Sequence, residues 1–182
     1  MDERDLATAR RQWRFRGTDR PSFAAEPAAG QESVWDYPRP PLIEPDGRLV
    51  RVQIGETTLA ESQATVRVLE TASPPVFYIP PADVDTDRLI LEGGGSVCEW
   101  KGTASYWSVR GPESVAKGVG WSYESPFDAF ESIRGYLSFY PARLACYVGE
   151  HRVLPQPGGF YGGWVTPEIV GPFKGEPGTG GW

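Results

Sequence analysis

Apolar and polar residues alternate along much of the middle of the chain, with the period of two that is typical of half-buried β-strands. In RLVRVQIG, residues 48–55, Val50, Val52 and Ile54 alternate with arginine and glutamine. Gly55 and Glu56 then predict a turn into a second strand, so that the two strands form a hairpin. Further alternating or short apolar segments occupy residues 57–62, 64–70, 74–80, 103–110, 114–123 and 144–153. This pattern predicts a domain built mainly from short antiparallel strands.

A different period appears late in the chain, in SPFDAFESIRGYLSFY at residues 125–140. Four apolar side chains there have helical spacing: Phe127, Phe130, Ile133 and Leu137. Ser125 is a suitable N-cap, Pro126 suits the first helical position, and Pro141 is expected to end the helix. The segment therefore predicts one α-helix packed on the β domain.

The two ends of the chain differ in composition from this middle part. We predict an N-terminal extension over 1–47, a β-rich core over 48–154 and a C-terminal strap over 155–182. Five aromatic residues are expected to anchor the strap: Phe160, Tyr161, Trp164, Phe173 and Trp182. The predicted fold is mainly β, a small antiparallel closed or tent-like barrel with one late α-helix and wrapping extensions at both termini.

Composition and charge limit the function classes that fit. The 182 residues carry a formal net charge of −6, which argues against nonspecific nucleic-acid binding because that depends on lysine and arginine neutralising phosphates. No apolar stretch reaches the roughly 18–20 residues that span a bilayer, and the charged N-terminus lacks the apolar segment of a signal peptide. We expect a cytoplasmic protein that binds neither nucleic acid nor membranes, with Cys98 and Cys146 unpaired. The oligomeric state stays open.

The decapeptide CEWKGTASYW, residues 98–107, concentrates the candidate chemistry. Only three lysines occur in the sequence, so Lys101 inside an aromatic segment indicates a specific partner or ligand. Gly102 permits close approach of a ligand or another backbone, and Glu70 is expected to pair with Lys101. Aromatic rings around them suit stacking on a planar molecule. The candidate ligand-binding residues are Glu70, Tyr78, Cys98, Lys101, Gly102, Tyr106, Trp107, Trp121 and Tyr123.

A purely structural interpretation explains the same residues without a ligand. A β-bulge with a Lys101–Glu70 salt bridge and aromatic core packing accounts for the segment, and the sequence leaves both interpretations open. An ammonium beside Cys98 would favour its thiolate. In an extended strand, however, residues 98 and 101 face opposite sides, so buried packing of Cys98 is favoured.

Other titratable residues give weaker signals. His151 is the only histidine and follows a glutamate in a turn-like segment, so we do not expect it to act with either cysteine. Asp83, Asp85 and Asp87 have the spacing that opens a calcium loop, but the loop's glycine and final glutamate are missing. We predict neither a metal site nor a cofactor.

The order of the motifs resembles a known bacterial family. The motifs are RVLE, PPVFYIP, C-x-W-K-G-x-A-S-Y-W-S-V, GWSYESP and GY-x-x-F-Y, and they resemble domain of unknown function 427, which is also labelled nucleotidyltransferase-like. The resemblance covers about residues 48–148. The VWDYPRPP lead and the GGFYGGWVTPEIVGPFKG tail resemble a longer variant found in actinobacteria-like sequences. The resemblance implies a compact β-rich fold with a helix near its end, and it implies little about activity.

The nucleotidyltransferase label makes a testable demand on the sequence. Such enzymes usually carry a Gly-Ser turn and, roughly ten residues later, two carboxylates that hold Mg²⁺ against a triphosphate. Gly95-Ser96 fits the turn, but the expected position falls in SYWSV, which contains no carboxylate.

The sequence therefore predicts binding of a small planar or anionic ligand, nucleotide- or metabolite-like, in an aromatic pocket near Lys101. Two alternatives from other classes remain open. One is an enzyme that acts through Cys98 or Lys101, and the other is a non-catalytic scaffold that uses its aromatic straps for interaction.

Overall fold

The computed structural model describes residues 2–182. Within this range the fold is mainly β, as the alternating pattern predicts. The strands are β1 (Glu32–Ser33), β2 (Leu42–Asp46), β3 (Val50–Ile54), β4 (Thr57–Ser62), β5 (Thr65–Leu69), β6 (Val76–Tyr78), β7 (Leu89–Leu91), β8 (Ser96–Cys98), β9 (Gly102–Arg110), β10 (Val115–Ser122), β11 (Leu137–Phe139), β12 (Ala145–Val148), β13 (His151–Arg152), β14 (Leu154–Pro155), β15 (Trp164–Val165) and β16 (Ile169–Val170).

Helices are few and short. The α-helix α1 spans Glu3–Arg11, and a reciprocal capping box fixes its start because the Asp2 carboxylate accepts from the backbone N–H groups of Arg4 and Asp5. Three 3₁₀ segments span Pro81–Asp83, Thr86–Arg88 and Asp128–Ile133. No helix within residues 2–182 has the length and apolar character needed to cross a membrane.

Hydrogen bonds group the strands into five sheets. The larger ones have the orders β11-β10-β9-β7 with β8 also paired to β9, β13-β12-β3-β4, and β2-β5-β6, and β14-β15 and β1-β16 form two-stranded pairs. All of these pairs are antiparallel except β1-β16, which is parallel. The strand β2 lies within the predicted N-terminal extension and pairs with β5 along its length.

The predicted late α-helix is wrong. Residues Asp128–Ile133 form two short 3₁₀ turns joined at a kink, where Phe130 has φ −118° and ψ 16°. Gly135 then takes a φ of +68°, which ends the turn, and Leu137–Phe139 become β11 against β10. Phe130 and Ile133 are buried, so these apolar side chains do face the core as predicted. The chain does not continue as a helix, because the following residues pair with β10.

Both extensions pack on the β core. In the strap, Trp164 is fully buried, stacks on Phe77 at 5.0 Å and donates its indole N–H to the Phe139 carbonyl at 3.0 Å. The last residue, Trp182, stacks on Phe23 of the N-terminal extension at 4.9 Å. The expected anchoring by Phe160 is wrong, because its side chain is 77% exposed.

Candidate functional site

A cavity of about 480 Å³ lies where the β core meets both extensions. Its walls are largely aromatic, and five charged side chains also line it: Glu70, Glu99, Lys101, Arg143 and Lys174. The aromatic lining residues are Trp13, Tyr78, Tyr106, Trp121, Tyr123, Tyr140, Phe160 and Tyr161. Both the volume and the mixture of apolar walls with a few polar groups are typical of small-molecule sites.

Lys101 enters the cavity from a tight turn and not from a strand. Residues 99–101 connect β8 to β9, and Cys98 pairs directly with Gly102 across that turn. Gly102 has a φ of +102°, which favours glycine. The carbonyl of Lys101 accepts from the Phe127 N–H at 3.1 Å, which fixes the turn against residues 125–127.

The turn also places Cys98 and Lys101 in the same cavity. A continuous strand would have put the two side chains on opposite faces. Cys98 is half-buried and lines the cavity, whereas Cys146 is fully buried in β12. Both cysteines are free, which confirms the prediction that they are unpaired.

Seven of the nine predicted residues line the cavity, and Gly102 and Trp107 do not. Strand alternation explains why Trp107 lies outside the cavity. Tyr106 pairs with Trp121 across β9 and β10, and the next residue, Trp107, faces the opposite side of the sheet. There the Trp107 indole donates to the Ser122 hydroxyl at 2.8 Å beside a smaller cavity. Gly102 is covered by the backbone of residues 125–127, so the close approach at this glycine comes from the protein itself.

The predicted ion pair between Glu70 and Lys101 does not form. Glu70 instead binds Arg39, whose guanidinium lies 3.1 Å from the carboxylate and is almost fully buried. Arg39 also donates to the carbonyls of Phe15 and Thr71 at 2.9 and 2.8 Å. Glu70 therefore lines the cavity with its charge balanced by Arg39. The two backbone carbonyls fix the Arg39 guanidinium, which in turn holds the Glu70 carboxylate in place.

The Lys101 ammonium is buried without a carboxylate beside it. The residue is 9% exposed, and its Nζ lies 5.9 Å from the ring centroids of Tyr123 and Phe130. Burial alone would lower the pKa of Lys101, but its electrostatic interactions with Cys98, Tyr123, Tyr78 and Glu70 oppose loss of its proton and outweigh burial. The pKa of Lys101 therefore lies well above its ordinary value, and the side chain is an ammonium at neutral pH.

The phenols next to this ammonium are neutral. Burial raises the pKa of both Tyr78 and Tyr123, so neither carries charge at neutral pH. The Tyr78 hydroxyl accepts from the Trp121 indole N–H at 3.2 Å. These groups supply polarity and ring surface but do not neutralise Lys101.

The sequence reasoning missed the cavity residues that the extensions contribute. Trp13 follows α1, and its indole donates to the Glu99 carboxylate at 2.6 Å. Lys174 and Tyr161 come from the strap. The scarcity of lysine, which pointed to Lys101, applies equally to Lys174 and was the available signal.

The geometry suits binding more directly than it suits a recognised catalytic arrangement. His151 is exposed in β13 and does not line the cavity, so no cysteine–histidine dyad forms there. Among residues 2–182, no cluster of three or more histidine, cysteine or carboxylate side chains can hold a metal ion. What the cavity combines is an ammonium without an ion-pair partner, a thiol and aromatic ring surfaces.

Comparison with known proteins supports a family but adds no activity. No curated protein matches the chain significantly. The family model described as a domain of unknown function, DUF427 or NTP_transf_9, matches residues 42–150. That segment begins at β2, includes Lys101 and its turn, and covers more than half of the chain, so the protein belongs to the DUF427 family.

Proposed function

We propose that this protein binds, in the cytoplasm, a small planar ligand that carries an anionic group, in the cavity at Lys101. The observation that carries the proposal is the Lys101 ammonium, which is 9% exposed and faces the cavity with no ion pair or side-chain hydrogen bond within residues 2–182. A buried charge is costly unless it is paired. An anion in the cavity supplies the missing partner.

The walls of the cavity support a planar ligand. Trp121 and Tyr140 lie with their ring centroids 4.5 Å apart, and Trp121 also meets Tyr78 edge to face at 6.4 Å. These fixed rings offer surfaces on which a flat molecule can stack, and such contacts contribute about 0.5–1.5 kcal/mol per aromatic pair beyond the area buried. A nucleotide or an aromatic acid has both required features.

Replacing Lys101 by methionine should weaken the binding of benzoate and of adenosine monophosphate at least tenfold, which is about 1.4 kcal/mol. The anion loses its cation, while methionine preserves most of the side-chain volume. Isothermal titration calorimetry measures the affinities.

Lys117→Met is the matched control. Lys117 is exposed on β10 and does not line the cavity, so its replacement should leave both affinities unchanged. The proposal is contradicted if neither probe binds the wild-type chain, or if Lys101→Met binds both probes as tightly as the control does. Loss of the fold in Lys101→Met would assign the lysine a structural role.

A thiol-dependent reaction is the second candidate, because Cys98 lines the same cavity as Lys101. Iodoacetamide should alkylate Cys98 in the native protein and spare Cys146. Burial raises the pKa of Cys146 to about 12 and leaves none of that residue exposed. Peptide mass spectrometry measures both sites, and denatured protein, in which both thiols react, is the control.

Benzoate should slow this alkylation if the ligand occupies the cavity beside Cys98. Cys98→Ser should retain benzoate affinity, because the anion pairs with Lys101 and not with the thiol. Equal labelling of Cys146 in the native protein would mean that β12 opens on the timescale of the experiment, which the buried core contradicts.

A further inference from the structure

A second ammonium lines the same cavity from the strap. Lys174 is 3% exposed, and its Nζ lies 3.5 Å from the Trp13 ring centroid and 4.6 Å from the Tyr161 ring centroid. Within residues 2–182 its Nζ forms no ion pair and no hydrogen bond with a side chain. Cation–π contacts with two rings offset part of the cost of burying this charge, but they provide no counter-ion.

The backbone holds Lys174 rigidly in this position. Its N–H donates to the Ala72 carbonyl at 2.7 Å, and its own carbonyl accepts from the Gln156 side-chain amide at 2.7 Å. Trp13 is held as well, through its indole bond to Glu99. The ammonium therefore sits in a built cage and not on a mobile surface side chain.

Two carboxylates, Glu70 and Glu99, face Lys174 without forming an ion pair with it. Glu70 is bound to Arg39, and Glu99 accepts from the Trp13 indole and, through its carbonyl, from Arg10. Arg39 also acts on Lys174 and favours loss of its proton, whereas Cys98 opposes it. The Tyr161 ring contacts the ammonium, and burial raises the pKa of its phenol. The carboxylates do not outweigh burial, which lowers the pKa of Lys174 to about 8.

The two ammoniums contact separate aromatic walls. Lys101 lies against Tyr123 and Phe130, whereas Lys174 lies against Trp13 and Tyr161. Because both line one cavity, a molecule that carries two anionic groups can pair with both. Trp13, Tyr161 and Lys174 also lie outside residues 42–150, so the extensions add this second position to the family-matched core.

We propose that Lys174 forms a second anion subsite, so that the ligand is a planar molecule with two acidic groups, such as an aromatic dicarboxylate. The inference rests on the proposed function, since the same ligand must engage Lys101. It narrows the class of ligand beyond what the Lys101 subsite alone implies, because a ligand with one anionic group that pairs with Lys101 leaves Lys174 without a counter-ion.

Isothermal titration calorimetry on the full chain near pH 7 tests the inference with benzoate and with its 1,3- and 1,4-dicarboxylate relatives, isophthalate and terephthalate. At least one dicarboxylate should bind ten times more tightly than benzoate. Lys174→Met should reduce that affinity to the benzoate level. Lys117→Met should change neither affinity.

The outcomes separate the two proposals. If benzoate binds through Lys101 but neither dicarboxylate binds more tightly, or if Lys174→Met retains the dicarboxylate preference, the second subsite is wrong while the proposed function stands. If replacing Lys101 changes the binding of none of the probes, the proposed function is wrong, and the second subsite is wrong with it. A lysine that serves only to hold Trp13 would lower the melting temperature on substitution without any effect on the preference for a second carboxylate.

The pH dependence provides a readout that packing alone would not change. The preference for the dicarboxylate should decline as the pH rises above about 8, because Lys174 then loses its proton, and binding near that pH should take up protons. Lys174→Arg should keep the preference and remove its pH dependence, since arginine stays charged. This variant also keeps the test valid if Lys174→Met fails to fold. A decline that persists unchanged in Lys174→Arg would overturn the assignment.

Discussion

Replacing Trp164 by alanine should lower the free energy of unfolding by about 3–5 kcal/mol, the usual cost of deleting a fully buried large aromatic side chain. The ring stacks on Phe77, and its indole bond to the Phe139 carbonyl is lost with it. The carbonyl is then left without that donor in the core, which adds to the cost of the cavity. Chemical denaturation measures the change.

Phe160→Ala is the matched control for Trp164→Ala. Both residues belong to the strap, but the Phe160 side chain is 77% exposed, so its replacement should change stability by about 0.5 kcal/mol or less. If the two variants have the same free energy of unfolding, the Trp164 side chain does not stabilise the core, and its packing does not hold the strap on the domain.

The contrast between these two residues marks a limit of the sequence. Trp164 and Phe160 both stand among glycines, so local composition assigns them the same anchoring role. Their difference comes from distant pairing: the Trp164 N–H donates to the Pro75 carbonyl, and its ring meets β6 and β11. No local periodicity in a glycine- and proline-rich segment encodes such contacts.

The strands were predictable where neighbouring segments pair locally. The β3-β4 hairpin follows from alternation on both sides of Gly55, whose φ of +59° suits the turn. The prediction of a helix over 125–140 was wrong because the apolar spacing of the segment fits a helix, while its actual structure depends on pairing with residues of β10. Leu137 pairs with Ser122 there, and that competition is visible only in the folded chain.

The candidate site was partly predictable for a related reason. Scarcity of lysine pointed to Lys101, and the glycine after it indicated an unusual backbone, which the turn at residues 99–101 confirms. The predicted partner of Glu70 was wrong because Arg39 lies in the N-terminal extension, which no local pattern places against β5. Lys174 was missed because its significance depends on Trp13 and Tyr161, which approach it only through folding.

Arg39→Met should also cost about 3–5 kcal/mol of unfolding free energy, as expected when one partner of a buried ion pair is removed. Arg39 is 4% exposed, and its loss leaves the Glu70 carboxylate without its cation. The carbonyls of Phe15 and Thr71 lose their donors as well. Arg39 further lies 4.7 Å from the Trp13 ring centroid, so the N-terminal extension should loosen from the cavity.

Arg20→Met provides the surface comparison, because Arg20 contacts two carboxylates, Glu26 and Asp36, but in solvent. Its replacement should change the denaturation midpoint much less. Adding Glu70→Gln to Arg39→Met should recover part of the lost stability, since the double variant no longer buries an unpaired carboxylate. The single variant should also bind benzoate more weakly, because an unneutralised Glu70 repels the anion. If Arg39→Met is no less stable than Arg20→Met, or if Glu70→Gln gives no recovery, the Arg39–Glu70 pair does not hold the extension on the cavity.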